Sequence, residues 1–310
     1  MVTIPARHRR NKASIIWIIA VLTALDVSGQ TRQQSASVHP DFSGAWSSAT
    51  AIPLERSARL KNQPFYTQEQ AAQLQKKKQG ADDDPVSRLE TGSLMLPSRR
   101  TSILTDPPNG LLPSLTPAAA AAQRERVERL HNPSATTDMG LQDRCLLFPT
   151  SVPPMIPYRY NSNYQIVQTE NAVVVQPEMV HDARIIRLDR QSHLAANVRQ
   201  WLGDSVGRWE GATLVVETTN FNDAGGFYGD AGGMYGWDRN MRVVERFSLL
   251  DADTILYRFE VEDPTAYTQP WKGELTMTRV QNPPFEYACH EGNMDLPNIL
   301  KLSASAPGNK

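Results

Sequence analysis

Four ionisable side chains interrupt strand faces that are otherwise apolar: His181, Glu245, Asp263 and Glu291. Residues two apart in a strand share a face, so a charge among apolar neighbours is costly unless it has a partner or a role. Carboxylates and an imidazole that converge in one apolar pocket are suited to general acid/base chemistry. We therefore predict a catalytic group made of these four residues.

A structural explanation competes with the catalytic one. His181, Asp263 and Glu291 lie at predicted strand ends, where alternation often gives way to a solvated rim. Glu245 lies inside its strand, where Arg242 or Arg246 would be a natural ion-pair partner. Both explanations stay open on the sequence alone.

Further polar residues near the same strands are candidates for substrate contact. Arginines bind anionic groups or clamp carboxylates, and aromatic or imidazole rings line small-molecule pockets. The predicted substrate-binding residues are Arg184, Arg199, Arg246, Tyr257, Tyr287 and His290.

The expected chemistry needs no cofactor. The chain lacks the metalloprotease helix motif and any closely spaced Cys/His cluster. The alternative is a divalent metal bound by His181, His290 and either Glu291 or Glu245, because such ligands can come from different strands.

The elements that must position these residues are short strands separated by turns. Eight segments are rich in Val, Ile, Thr and aromatic residues. They are Tyr164–Thr169, Ala172–Val180, Ala183–Leu188, Thr213–Thr219, Arg242–Leu249, Thr254–Glu262, Glu274–Val280 and Phe285–Cys289. The pattern predicts a mainly β fold in residues 161–303, an antiparallel up-and-down barrel or strongly curved sheet.

Residues 30–160 have a different character, with most of the 22 prolines and two helix patterns. One helix is predicted from Thr67 to Gln79, with Thr67 and Gln70 as a capping box, and the other after Thr116-Pro117. We predict an irregular, proline-rich arm that packs on the barrel, and a disordered tail at 304–310. Gly44-Ala45-Trp46 resembles the Gly-x-Trp that opens the first strand of lipocalin-type barrels, so the expected fold is lipocalin-like.

The first 29 residues have the pattern of an export signal. Basic residues from Arg7 to Lys12 precede the apolar run Ala13–Leu25 and the small residues at 27–29. Cleavage there moves the formal charge from −1 to about −4, which disfavours nucleic acid as a partner. We expect a periplasmic or secreted protein with no stable membrane anchor after cleavage. In an oxidising compartment the only two cysteines, Cys145 and Cys289, are expected to form a disulfide.

Several longer motifs carry a family resemblance over roughly residues 40 to 303. They are the segments Thr101–Gly110, Glu178–Arg184, Arg199–Ser205, Gly207–Phe221 and Tyr287–Asn293. As a set they resemble an exported bacterial family of uncharacterised proteins. The resemblance implies export and a shared fold and assigns no chemistry.

Two functions follow from these observations. The first is an exported, cofactor-independent acid/base enzyme, a lyase, isomerase or hydrolase, that acts on a small organic or sugar-like molecule in a barrel pocket. The second is a lipocalin-like binding protein for an apolar small molecule, in which polar residues only orient the ligand. The density of ionisable residues favours the enzyme, and the lack of a metalloprotease motif or a Cys/His cluster favours the binding protein.

Overall fold

The structure is a computed structural model that describes residues 39–79, 96–158, 161–180, 182–222 and 239–305. The predicted signal segment and most of the predicted tail lie outside these ranges. The helices are α1 (Gln68–Gln79), α2 (Pro117–His131) and α3 (Asp295–Ser305). The strands are β1 (Gly44–Ser47), β2 (Leu104–Asp106), β3 (Asn163–Gln168), β4 (Ala172–Pro177), β5 (Arg184–Arg187), β6 (Asp204–Glu210), β7 (Thr213–Thr219), β8 (Arg242–Asp251), β9 (Thr254–Glu262) and β10 (Trp271–Val280).

Nine of these strands form a closed barrel in the order β1-β3-β4-β5-β6-β7-β8-β9-β10. β1 closes it, because its residues pair with β3 on one side and with β10 on the other. β2 adds a tenth strand beside β10. The predicted mainly β barrel is therefore confirmed, and it takes β1 and β2 from the region that the sequence assigns to the arm.

Side chains alternate between the two faces of each strand, and the apolar ones that form the core lie inside the barrel. In β9, Ile255, Tyr257, Phe259 and Val261 are buried and lie on one face, as the pattern predicts. Seven of the eight predicted strands are present with small shifts of their ends. The eighth, Phe285–Cys289, is wrong: the segment after β10 forms no strand, and 64% of the Phe285 side chain is exposed.

One pair of neighbouring strands departs from the predicted antiparallel order. β5 and β6 run parallel over Ile186↔Ser205 and Arg187↔Val206. Parallel neighbours need a crossover of a dozen or more residues, and the segment 188–203 is long enough to supply one. The barrel is therefore not a pure up-and-down meander.

Hydrogen bonds to β6 and β7 hold this crossover on the outside of the barrel. Asp204 accepts from Arg187 at 2.8 Å and from the backbone N–H of Leu194 at 3.0 Å, and it lies 3.0 Å from Nδ1 of His193. The Asn220 amide donates to the carbonyls of Leu194, Ala195 and Val198. Side-chain hydrogen bonds therefore hold the crossover in place, whereas many parallel crossovers are formed by a helix.

Both helices predicted in the arm begin where their caps indicate. The Thr67 N–H donates to Gln70 Oε1 at 2.9 Å, and the Gln70 N–H donates back to Thr67 Oγ1 at 3.2 Å, which completes a capping box. Thr116 accepts from the N–H of Ala119 at the start of α2. The C-terminal helix α3 was not predicted.

A ten-residue part of the arm, residues 147–156, is buried along its whole length. We call it the inner segment. Leu147, Val152 and Met155 belong to the same apolar cluster as the barrel residues Phe247 and Tyr257. The inner segment therefore completes the core of the barrel.

Closure of the barrel at β1 depends on a glycine. Gly44 has φ +134°, and a Cβ there would collide with the guanidinium of Arg279. That guanidinium lies 4.2 Å from the Trp46 ring centroid and donates to the Ser43 carbonyl at 3.0 Å. Both contacts would have to shift to admit a methyl group.

We expect Gly44→Ala to lower the free energy of unfolding by about 1–3 kcal/mol, from backbone strain and displacement of Arg279. Urea unfolding of the two proteins measures this change. Gly211→Ala is the matched control, because Gly211 also has positive φ but no atom lies within 4 Å of its added Cβ. Equal losses in the two variants would show that the Arg279 contact contributes nothing.

Candidate functional site

The candidate site is a polar cluster inside the barrel, formed by Arg184 on β5, Glu245 on β8 and Tyr257 on β9. Glu245 faces inward with Val243 and Phe247, and its side chain is fully buried. β6 and β7 separate β5 from β8 in the sheet, so Arg184 and Glu245 meet across the interior. The three side chains come together because each lies on the inward face of its strand.

The Glu245 carboxylate accepts hydrogen bonds from two side chains, those of Arg184 and Tyr257. Nη1 of Arg184 donates to both of its oxygens, at 3.0 and 2.8 Å. The Tyr257 hydroxyl donates to Oε1 at 2.7 Å and accepts from the Met155 N–H at 3.1 Å. Glu245 is thus a paired, hydrogen-bonded anion, which is the form in which a buried carboxylate is tolerated. The Met155 contact ties the inner segment to the cluster.

Arg184 has further donors that this pair does not use. Only 2% of its side chain is exposed. Its Nε and Nη2 atoms have no hydrogen-bond partner among the residues that the structure describes. Buried donors without a partner are rare in folded proteins, and each calls for an explanation.

Tyr164 on β3 is a fourth member of the polar environment. It is fully buried, and its hydroxyl lies 3.5 Å from Oγ of Ser48. Burial raises its pKa strongly, while the charges of Arg184 and Glu245 act on it in opposite directions. Burial likewise raises the pKa of Tyr257, and the negative charge of Glu245 adds to that rise. Both phenols therefore remain neutral hydroxyl groups at physiological pH.

These two tyrosines predict a loss of stability in alkali. Their folded pKa values lie above the unfolded value of 10.0, so above that pH the unfolded chain releases protons that the folded protein keeps. We expect the free energy of unfolding to keep the full tyrosine contribution below about pH 10 and to fall as the pH rises further. Urea unfolding across this range, with the absorbance of tyrosinate as a second signal, tests the expectation.

Tyr164→Phe is the control for this pH dependence. It removes one of the two titrating groups while it leaves the ion pair and the Tyr257 bonds in place. The alkaline fall in stability should become smaller in this variant. An unchanged fall would assign the pH dependence to other groups.

Of the other predicted catalytic residues, the structure describes Asp263 and Glu291, and neither belongs to this cluster. Asp263 is buried at the end of β9, where Oδ1 accepts from Thr265 and from the Ala266 N–H and so caps a turn. Glu291 is exposed in the C-terminal segment after β10. His181 lies outside the described residues. The bonds to Glu245 come from Arg184 and Tyr257, so neither Asp263 nor Glu291 joins it.

The predicted substrate-binding residues are also divided. Arg184 and Tyr257 belong to the cluster. Arg199 donates to the carbonyls of Phe221 and Arg239 and so links two loops. Arg246 is exposed and lies 3.9 Å from Glu210.

His290 and Tyr287 lie in the C-terminal segment, with His290 exposed and Tyr287 half-buried beside Phe148, Met179 and Val180. The shared face expected of Phe285, Tyr287 and Cys289 does not exist, because this segment is not a strand.

The predicted local partners of Glu245 are wrong. Arg246 points away from it, and Arg242 pairs with Glu217 and Glu262 on the outside of the barrel. The true partner, Arg184, is 61 positions away in the sequence. Tyr164 was also missed, although it alternates with Ile166 in β3 and could have been assigned inward by the same rule.

Three residues of the alternative metal site are described, and Glu245 lies apart from the other two. Glu245 is buried and bound to Arg184, whereas His290 and Glu291 lie on an exposed turn. Over the described ranges, no three His, Cys, Asp or Glu side chains are placed to hold a metal ion. The glycine-rich segment 225–237 lies outside the described residues.

The predicted disulfide between Cys145 and Cys289 is present, with 5.7 Å between the Cα atoms. It joins the arm to the C-terminal segment and encloses β3 to β10 in one covalent loop. Within the ranges that the structure describes, none of the helices has the length and apolar character needed to cross a bilayer.

Fold and site together define a closed, disulfide-linked β-barrel with a buried Arg184–Glu245–Tyr257 cluster in a largely apolar interior. No family model matches this chain, and no curated protein or solved structure is significantly similar to it. The function must therefore be argued from the barrel itself.

Proposed function

We propose that this protein is exported and binds a small organic molecule inside its barrel without a cofactor. The observation that carries the proposal is the Arg184–Glu245–Tyr257 cluster, which is buried in a largely apolar interior. Small-molecule sites combine apolar walls with a few polar groups that orient the ligand, and the interior of a β-barrel is a common place for them. Export is supported by the signal-like N-terminus and by the disulfide.

The hydrogen bonding of Glu245 favours binding over catalysis. A general base needs a carboxylate that is free to reach a substrate proton, and Arg184 and Tyr257 already occupy this one. A carboxylate held in this way instead fixes the arginine and the tyrosine in place. Preorganised polar groups of this kind orient a ligand.

Extraction of the purified protein tests the binding proposal. The chain is expressed with its native N-terminus, isolated from the periplasm and examined by native mass spectrometry, with a denatured extract analysed in parallel. We expect an added mass on the folded protein and the same compound in the extract. Absence of any bound compound, together with no thermal stabilisation by a library of acids, alcohols and sugars, would overturn the proposal.

The same preparation tests export. Cleavage near Gly29 would give a mature chain that begins close to residue 30, found in the periplasmic fraction. An intact N-terminus on protein recovered only from the cytoplasm would contradict export.

An acid/base enzyme that uses His181 and Glu245 is the second candidate. It is favoured by the direct hydrogen bond of 2.7 Å between the Tyr257 hydroxyl and Glu245, because such a pair can relay a proton. In that case His181→Ala should keep the fold and ligand binding but lower turnover of the extracted compound by roughly 10²–10⁴-fold. A wild type that does not turn over the compound would leave the binding protein as the function, and a variant that changes only affinity would exclude His181 as the acid or base.

A further inference from the structure

We propose that the free edge of the Arg184 guanidinium is a carboxylate-binding subsite inside the barrel. This inference rests on the proposed binding function and specifies the chemical class of the ligand. It assigns to the buried arginine a second role beside its ion pair with Glu245.

The geometry of the guanidinium carries the argument. Both of the bonds that Arg184 donates to Glu245 come from Nη1, and its Nε and Nη2 atoms have no partner in the described part of the chain. These two nitrogens lie on one edge of the planar group, so their N–H bonds point in nearly the same direction. A carboxylate accepts such a pair through two parallel hydrogen bonds. One ligand group would therefore satisfy both donors at once.

The balance of charges around Arg184 favours a ligand that carries a single negative charge. Glu245 already neutralises Arg184, so each further anionic charge in the interior is uncompensated. A monocarboxylate adds one such charge, whereas a phosphate monoester adds nearly two at neutral pH. The neutral hydroxyls of Tyr164 and Tyr257 add no charge of their own. A monoanion is thus the acceptor that this environment tolerates best.

The surroundings of Arg184 indicate an apolar body for the ligand. Val175 is its register partner on β4, and Ile186 follows it on the same face of β5. Val243 and Phe247 flank Glu245 on β8 and are also buried. We therefore expect an apolar monocarboxylic acid, held by its carboxylate at Arg184.

Calorimetric titration with matched acids and esters tests the subsite. The probes are unbranched monocarboxylates from butanoate to decanoate, benzoate, and the methyl ester of each. At least one acid should bind about tenfold or more tightly than its ester, because an ester cannot accept two charge-assisted bonds from one guanidinium. Arg184→Lys keeps the positive charge beside Glu245 but loses the planar edge. It should weaken binding of the acid about tenfold and leave any binding of the ester unchanged.

Arg187→Lys is the matched control. Arg187 lies on the same strand but pairs with Asp204 on the outside of the barrel. It should bind acids and esters as the wild type does. Equal losses in the two lysine variants would overturn the subsite, because they would reflect a general effect on β5.

A measurement on the wild type covers the case in which Arg184→Lys does not fold. The Nε–H of Arg184 should give a side-chain signal in a nitrogen-15 correlation spectrum that exchanges slowly with solvent. Addition of the bound acid should move its proton resonance downfield, and the methyl ester should not. A resonance that does not respond to a bound acid would overturn the subsite.

The outcomes separate this inference from the proposed function. Equal binding of acids and esters, insensitive to Arg184→Lys, would overturn the carboxylate subsite and leave the small-molecule binding protein intact. No binding by any probe, and no compound recovered from the native protein, would overturn both.

Discussion

Glu245→Leu should lower the free energy of unfolding by about 3–5 kcal/mol, the cost of removing one partner from a buried ion pair. The loss arises because Arg184, almost fully buried, would keep its charge without the carboxylate that now compensates it. The Tyr257 hydroxyl would lose its acceptor as well. Urea unfolding followed by circular dichroism measures the change.

Two controls identify the cause of this loss. The double variant Glu245→Leu/Arg184→Met removes both charges, and we expect it to recover most of the stability. Arg246→Gln changes the next residue of β8, which is exposed, and should alter stability by less than about 0.5 kcal/mol. If the double variant were as unstable as the single one, packing volume would explain the loss better than charge.

Removal of the disulfide is the second change with a large expected effect. Cys145 and Cys289 are 144 positions apart. In the chain-entropy model a loop of that size restricts the unfolded state by about 5 kcal/mol. We therefore expect the double variant Cys145→Ser/Cys289→Ser to unfold at a much lower urea concentration than the oxidised wild type.

The reductant provides the control for this prediction. Reduced wild type should unfold like the double serine variant, and the variant itself should not respond to reductant. A reduced protein that is as stable as the oxidised one would show that the closed loop does not limit the unfolded ensemble.

Much of the barrel could be predicted from the sequence, because a buried strand face leaves a period of two in the chain. This alternation predicts seven of the strands. It also predicts that Glu245 and Tyr257 face inward, without any knowledge of the residues that they contact. The caps of α1 and α2 were also readable, since each depends on residues three positions apart.

The identity of the partner could not be predicted in the same way. Arg184 contacts Glu245 because the barrel is curved and brings β5 and β8 to face each other. No local sequence pattern shows which strands face each other across the interior of a barrel. β2 and β6 were missed because β2 has three residues and β6 carries a glycine and charged residues. The false strand at Phe285–Cys289 had the right alternation, but Pro283 and Pro284 come directly before it, and it pairs with no neighbour in the described part of the chain.

The position of β1 affects how the protein is made. Gly44–Ser47 is the first strand in the described part of the chain, yet one of its two neighbours is β10, the last strand there. Until β10 emerges, any partly assembled sheet has two unpaired edges, which are sites where chains aggregate. Chains truncated before Trp271 therefore lack β10 and leave β1 and β9 without the neighbour that closes the barrel.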